Sequence, residues 1–222
     1  MLHIEIHGRA PLNLKTLVLD YNGTIARDGA LIDGVAKRIR QLAESLRIVV
    51  LTANTHGSVA AAVRDLPVEV MILHTAHRNI SGASCGGHDV AGSTPDINIM
   101  ESQRDTPPAG SAQKENVQGK DLTGKETTYA AKEEPNPHEA RFSEAEAKLQ
   151  VLVQLGATQC VAMGNGRNDA LMLKEAALSI AITGTEGTST AALIAAQVAI
   201  HNINDGLDLL LHPARLKATL RN

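Results

Sequence analysis

Leu17-Val18-Leu19-Asp20-Tyr21-Asn22-Gly23-Thr24 is an apolar run that ends in an aspartate and passes into a turn. Leu17 to Leu19 are too apolar and too β-favouring for a surface loop, so they read as a buried strand. Asp20 then stands at the carboxyl end of that strand, the edge where open α/β sheets bind ligands. A carboxylate there is expected to be exposed and is fixed by the rigid strand behind it. Gly23 lets the backbone turn sharply or approach a ligand closely, and Thr24 adds a hydroxyl and an N–H. Taken alone, the stretch is equally compatible with Asp20 merely opening a turn.

The flanking sequence alternates strands with helices. Upstream, residues 2–7 alternate apolar and polar and read as a half-buried edge strand, and the central strand covers 14–20. Residues 25–33 read as a short linker, and 25–34 as a possible flap. Val35, Ile39, Leu42 and Leu46 then recur at helical spacing, with Lys37, Arg38 and Arg40 outward. A buried strand at 47–51 runs into Thr52-Ala53-Asn54-Thr55, a polar cluster that also suits a helix cap. A helix at 59–66 and a strand at 68–73 follow. Periodicity returns at Phe142, where Ser143 and Glu146 form a capping-box pattern for a helix ending at Gly156. A strand at 159–163 empties into Gly164-Asn165-Gly166-Arg167-Asn168-Asp169, and a helix runs on to Ala177. A strand at 178–182, a helix at 188–196, a short strand at 198–201 and a helix at 207–220, broken at Pro213, complete the pattern. Such alternation implies crossover connections and a parallel sheet in an α/β fold.

Residues 74–138 interrupt that pattern. They are rich in Gly, Ser, Thr, Pro, Glu and Lys, with only residues 97–100 locally apolar. So little apolar surface does not offset the entropy of ordering, and the segment is expected to be a mostly disordered, low-complexity insertion, in preference to a small folded cap, in a single domain of 1–222. His74, His77 and His88 with Cys85 match no common metal-ligand spacing.

Composition bounds the function. The 222 residues carry a formal net charge of −3, and 43% are hydrophobic, enough for a sizeable core. Only 1% are aromatic, which argues against a base-stacking nucleic-acid surface, and there is no basic stripe. Cys85 and Cys160 make no disulfide framework; Cys160 reads as a core residue and Cys85 as a free thiol. There is no signal-peptide pattern and no run of membrane-spanning length, so a soluble cytoplasmic protein without nucleic-acid or membrane partners is expected.

If the strands are parallel, Asp20-Tyr21-Asn22, Thr52-Ala53-Asn54, the loop carrying Asn165 and Asp169, and Thr183-Gly184 meet at one sheet edge, with Lys148 within reach on its helix. The set offers a carboxylate nucleophile, a second carboxylate for a cation, hydroxyl and amide donors, and a lysine. Phosphoryl transfer needs these groups: an Asp attacks phosphorus, Mg²⁺ holds phosphate oxygens, and Thr, Asn and Lys balance the developing charge. Against this stand plainer readings: Thr52 as a helix cap, Lys148 as a solvated helix charge, and Gly164 to Asp169 as a turn and cap.

On these motifs the chain resembles the haloacid dehalogenase-like superfamily, and within it the soluble relatives of the P-type ATPase phosphorylation domain. LVLDYNGT at 17–24 is similar to the first motif, VVLTAN with Thr52 to the second, Lys148 in EAKLQVLVQLG to the third, and GNGRNDALML to the fourth. The resemblance implies a three-layer α/β/α Rossmann-like core and a Mg²⁺-dependent phosphohydrolase for a small phosphorylated substrate, with no folded cap evident. It implies that Asp20 becomes an aspartyl phosphate, that Thr52 and Lys148 hold the phosphoryl group, and that Asp169 and the Asn22 carbonyl help bind Mg²⁺. Two departures stand out. Asn22 occupies the place where the superfamily's phosphatases carry a general acid–base Asp, which implies slow turnover. Asn165 replaces an Asp beside the cation; its amide still offers an oxygen but one negative charge is lost. These two asparagines favour the alternative of a non-catalytic or regulatory module that binds phosphate or a partner.

Overall fold

The computed structural model describes residues 1–53, 59–73 and 143–221, and the backbone of short strands at 77–79, 98–100, 119–120, 126–127 and 139–141. In chain order the elements are β1 (Leu2–Ile4), β2 (Leu12–Leu14), β3 (Thr16–Asp20), β4 (Ala26–Arg27), β5 (Ala30–Leu31), α1 (Val35–Leu42), β6 (Arg47–Thr52), α2 (Val59–Ala62) and β7 (Glu69–Ile72). Within the insertion lie β8 (His77–Asn79), β9 (Asn98–Met100), β10 (Gly119–Lys120) and β11 (Glu126–Thr127), and β12 (Glu139–Arg141) follows it directly. Then come α3 (Glu144–Gln154), β13 (Cys160–Gly164), α4 (Ala170–Glu175), β14 (Leu178–Ile182), α5 (Thr190–Ala195), β15 (Val198–Ile200), α6 (Ile203–Leu211) and α7 (Pro213–Leu220).

The main sheet has the order β15-β14-β13-β3-β6-β7-β9. Its strands from β15 to β7 are parallel, and β9 is added antiparallel to β7. Every residue of β3, β13 and β14 is buried, as expected for strands covered on both faces. Alternate residues serve opposite layers. Leu17, Leu19, Ile48, Val50, Val161 and Met163 pack with Ile39 of α1 and Leu207 of α6. Val18, Val49, Leu51 and Ala162 pack with Val151 and Leu152 of α3, Met172 and Leu173 of α4, and Ala192 of α5. The result is the three-layer α/β/α core.

The chain leaves β3 for β6 and β7 on one side and returns to β13, β14 and β15 on the other. The order therefore reverses between β3 and β13. At such a switch point the connections on either side diverge, and a crevice opens at the carboxyl edge.

Local differences from the sequence reading have simple causes. The N-terminal strand pairs with β2 in a separate antiparallel hairpin and does not edge the main sheet. The stretch expected as one strand at 14–20 divides at Lys15, whose N–H and carbonyl are taken by Gln159 and Arg47. Residues 26–31, expected as a linker, form a β-hairpin. Its turn, Asp28-Gly29, has φ of 50° and 78°, the left-handed pair that a two-residue hairpin turn requires. Arg38 does not simply face solvent: it makes a bidentate pair with Asp208 of α6, at 2.8 Å on both arms. The insertion contributes β9 to the main sheet, and β8 pairs with β12. The expectation of disorder over the rest of 74–138, and the side chains of His74, His77, His88 and Cys85, lie outside the described residues. So do Asn54 and Thr55. No helix among the described residues is long and apolar enough to cross a membrane.

Candidate active site

Asp20 is the last residue of β3 and is paired in register with Leu51 of β6; it is buried and not exposed as the sequence suggested, because Lys148 and Thr24 lie against its carboxylate. Thr52 follows at the carboxyl end of β6, buried, with its carbonyl accepting from the Leu73 N–H at 2.9 Å. On the other side of β3, β13 ends at Gly164 and hands over to the loop of Asn165 and Asp169. The parallel sheet thus brings these residues to one edge.

Lys148 joins them from α3. The helix begins in the capping box read from the sequence, with Ser143 and Glu146 satisfying each other's backbone N–H groups. It faces the sheet through Ala147, Lys148, Val151 and Leu152. Lys148 is fully buried, so it is not a solvated helix charge. Its Nζ donates to Asp20 Oδ1 at 2.6 Å and Asp169 Oδ1 at 2.7 Å, and lies 3.3 Å from Glu144 Oε1 one turn back. Asn168 Nδ2 holds that same Glu144 oxygen at 2.8 Å. A buried ammonium is tolerable only when paired in this way.

The second oxygen of each aspartate has a different task. Asp169 Oδ2 accepts the backbone N–H groups of Asn165 and Gly166 at 2.9 and 2.8 Å, folding the loop around its own carboxylate. Gly164 permits this: a Cβ there would stand 2.5 Å from Asp169 Cγ and Oδ2. Among the described residues, Asp20 Oδ2 has only the Thr24 hydroxyl, at 3.3 Å. Thr24 Oγ1 is also 3.3 Å from Asn165 Oδ1, while Asn165 Nδ2 donates to the Gly187 carbonyl at 3.0 Å. Asn22 is exposed in the turn after Asp20.

Burial pushes the Asp20 carboxyl up to about 7; the nearby charge of Asp169 adds to the rise and Lys148 opposes it. For Lys148, burial pulls the ammonium down, but Asp20 and Asp169 outweigh it and hold it above its ordinary value. Among the described residues, two buried aspartates and Glu144 thus surround one ammonium, leaving the cluster short of positive charge.

The hairpin 26–31 rises beside this cluster. Tyr21 Oη donates to the Gly29 carbonyl at 2.9 Å, and the Asp28 N–H donates to Glu186 Oε1 at 3.3 Å. Between the hairpin and the ends of β14 and β15 is a cavity of about 80 Å³, lined among others by Thr24, Arg27, Gly184, Glu186, His201 and Asn202. The sequence reading brought Asp20, Thr52, Lys148, Asn165 and Asp169 to this edge. It missed Glu144, although Glu144 and Lys148 stand at i, i+4. It missed the hairpin, although Asp28-Gly29 is its signal.

No family model matches the chain. Uncharacterized protein MJ0073 of Methanocaldococcus jannaschii is 43% identical over 84 residues, covering 36% of this chain and 90% of that protein. The cobalt-bound deoxy-D-mannose-octulosonate 8-phosphate phosphatase of Haemophilus influenzae superposes on 95% of this chain and 94% of its own with a TM-score of 0.52 and 10% identity. A structure described as conserving a trigonal-bipyramidal intermediate in a phosphoryl-transfer superfamily covers 90% of this chain and 99% of its own, with a TM-score of 0.50 and 12% identity. The fold is that of the haloacid dehalogenase-like superfamily.

Proposed function

We propose that this chain, which belongs to one family with the M. jannaschii protein and has the haloacid dehalogenase-like fold, is a phosphohydrolase working through an aspartyl phosphate. One observation carries the reading: Asp20 Oδ1 is held by Lys148, while among the described residues Oδ2 has only a hydroxyl at 3.3 Å. Oδ2 is thus the more loosely held of the two oxygens, at the carboxyl edge of the sheet. Asp20 Oδ2 attacks phosphorus, the bond to the leaving oxygen breaks, and that oxygen takes a proton from water. A second water then attacks phosphorus, releasing inorganic phosphate and restoring the carboxylate. Lys148 and Thr52 balance charge on the phosphoryl oxygens.

The donor set fits a hard divalent cation. All its candidate atoms are oxygens, and among the described residues the carboxylates outnumber the one buried ammonium. Among the described residues no three His, Cys, Asp or Glu side chains converge as a ready-made cation cage. Mg²⁺ needs no such cage, because it commonly takes one or two carboxylates plus waters and substrate phosphate. Asp20, Asp169 and the Asn22 carbonyl would hold it; Asn165 was a further candidate from the sequence. When bound, it would neutralise charge on the phosphoryl oxygens. The two solved structures whose descriptions name a phosphatase with cobalt and a phosphoryl-transfer superfamily agree with this reading.

The cavity beside Thr24 supports a compact polar leaving group. At about 80 Å³ it is well below the roughly 300–1,000 Å³ of pockets that enclose drug-sized ligands. We therefore read the substrate as a small phosphorylated molecule, met in the cytoplasm. The second reading, a non-catalytic phosphate- or partner-binding module, is favoured by the asparagines at 22 and 165. Incubation with p-nitrophenyl phosphate, with and without Mg²⁺, followed by acid quench, separates the two. Hydrolysis with an acid-stable, hydroxylamine-sensitive phosphoprotein supports the enzyme; phosphate binding with neither supports the module.

A further inference from the structure

Asn165 sits at the meeting of three loops. Its side chain lies against Gly23, where a Cβ would come within 2.4 Å of Nδ2. Its Oδ1 is 3.3 Å from the Thr24 hydroxyl, and its Nδ2 donates to the Gly187 carbonyl at 3.0 Å. Its own carbonyl accepts the Ser189 N–H at 2.9 Å. The Gly187 carbonyl fixes which way the amide points, since only the NH₂ group can face another acceptor. The amide is thus committed to neighbouring loops on both sides.

We propose that Asn165 is a positioning residue that must be an asparagine, acting through Thr24 on Asp20 instead of serving as a cation ligand. Two physical requirements select the amide. First, a carboxylate at 165 would place an oxygen against the Gly187 carbonyl, turning a hydrogen bond into a repulsion. Second, the Thr24 hydroxyl has one proton and two acceptors at the same distance, Asp20 Oδ2 and Asn165 Oδ1. A charged acceptor outcompetes a neutral one. With an amide at 165 the proton goes to Asp20 and orients the oxygen that attacks; with an aspartate the competition is even. A carboxylate at 165 would also add negative charge to a cluster that holds one ammonium. The phosphohydrolase reading underlies the kinetic half of this proposal, but the loop contacts do not depend on it.

The test uses the full chain and the variants Asn165→Asp, Asn165→Ala, Thr24→Val and the Asn165→Asp/Thr24→Val double. Single-turnover phosphoryl transfer from p-nitrophenyl phosphate is measured at saturating Mg²⁺. Hydrogen exchange of the Gly187 and Ser189 amides is measured in EDTA. Asn165→Asp is expected to slow transfer about ten- to hundredfold, the scale of one hydrogen bond to a charged group, with KM little changed. Adding Thr24→Val should slow it little further, because both changes act on one contact. Asn165→Ala should lose less rate than Asn165→Asp. In all Asn165 variants the Gly187 and Ser189 amides should exchange faster with no cation present. Transfer in Asn165→Asp at or above the natural rate, or fully additive losses in the double variant, overturns the positioning role. If the natural chain transfers no phosphate, the enzyme reading falls and the exchange measurement alone decides the clamp: unchanged exchange overturns it.

Discussion

Lys148 Nζ lies 2.6 Å from Asp20 Oδ1, so the residue we assign as nucleophile is already engaged by its nearest counter-charge. The same ammonium reaches Asp169 at 2.7 Å. Neither aspartate would be tolerable so close to the other without it.

Replacing Lys148 with methionine leaves two buried carboxylates facing each other. Loss of about 3–5 kcal/mol is expected, the cost of breaking a buried pair from one side. Mg²⁺ should then stabilise the variant more than it stabilises the natural chain, because the cation supplies the missing charge. Thermal melts in EDTA and in Mg²⁺ check both statements. Equal shifts by Mg²⁺ in the two proteins would count against a cation at Asp20 and Asp169.

Asp20→Asn should abolish phosphoryl transfer, by at least roughly a thousandfold, since an amide does not attack phosphorus. Stability should change with pH in a defined sense. The folded value of about 7 lies above the ~3.9 of an unfolded aspartate. Protonated Asp20 therefore favours the fold; that contribution is complete below about pH 4 and is lost as pH rises through about 7. In the asparagine variant this loss is absent, so the variant gains on the natural chain between those limits. Urea unfolding at several pH values across this window measures the difference. A constant difference across it would show that Asp20 is not the group responsible.

Asn22→Asp should speed hydrolysis of alkyl phosphates more than of aryl phosphates. A general acid and base is worth about 10²–10⁴ in rate, and poor leaving groups need it most. Asn22 is exposed in the turn, so the new carboxylate has solvent on one side and little burial to overcome. Repulsion with Asp20 sets an upper limit to the gain. Acid-quench kinetics on both substrates give the answer; an unchanged rate of phosphoenzyme breakdown contradicts the role assigned to position 22.

Gly164→Ala should impair the site through packing alone. Its Cβ would stand 2.5 Å from Asp169 Cγ, in a place where Asp169 is fully buried and cannot retreat. A cost of about 1–3 kcal/mol is expected, with weaker Mg²⁺ dependence of any activity. Melting temperature and a Mg²⁺ titration together test this.

The strands of the sheet were legible because each couples an apolar run to an abrupt polar end. Leu17 to Asp20 and Cys160 to Gly164 show both features, and their parallel pairing places Asp20 and Asp169 together. Lys148 was legible only as a residue type at a plausible spacing; its burial depends on α3 turning that face to the sheet. The hairpin at Ala26–Leu31 was missed because its strands are two residues long, too short for alternation to register, although the Asp28-Gly29 turn was visible. The engagement of Asn165 with Gly187 involves a loop 22 residues away, a pairing no local pattern encodes.

The place of β3 between β6 and β13 has a consequence for biosynthesis. β6 follows β3 closely, but β13 and α3 leave the ribosome only after the long insertion has been made. During that interval one edge of β3 has no partner, and Asp20 waits for a lysine 128 residues downstream. Forming such distant contacts is intrinsically slow and leaves apolar strand edges open to other chains. Nascent chains stalled before residue 148 should therefore depend on chaperones, whereas chains extended past residue 164 can close the sheet.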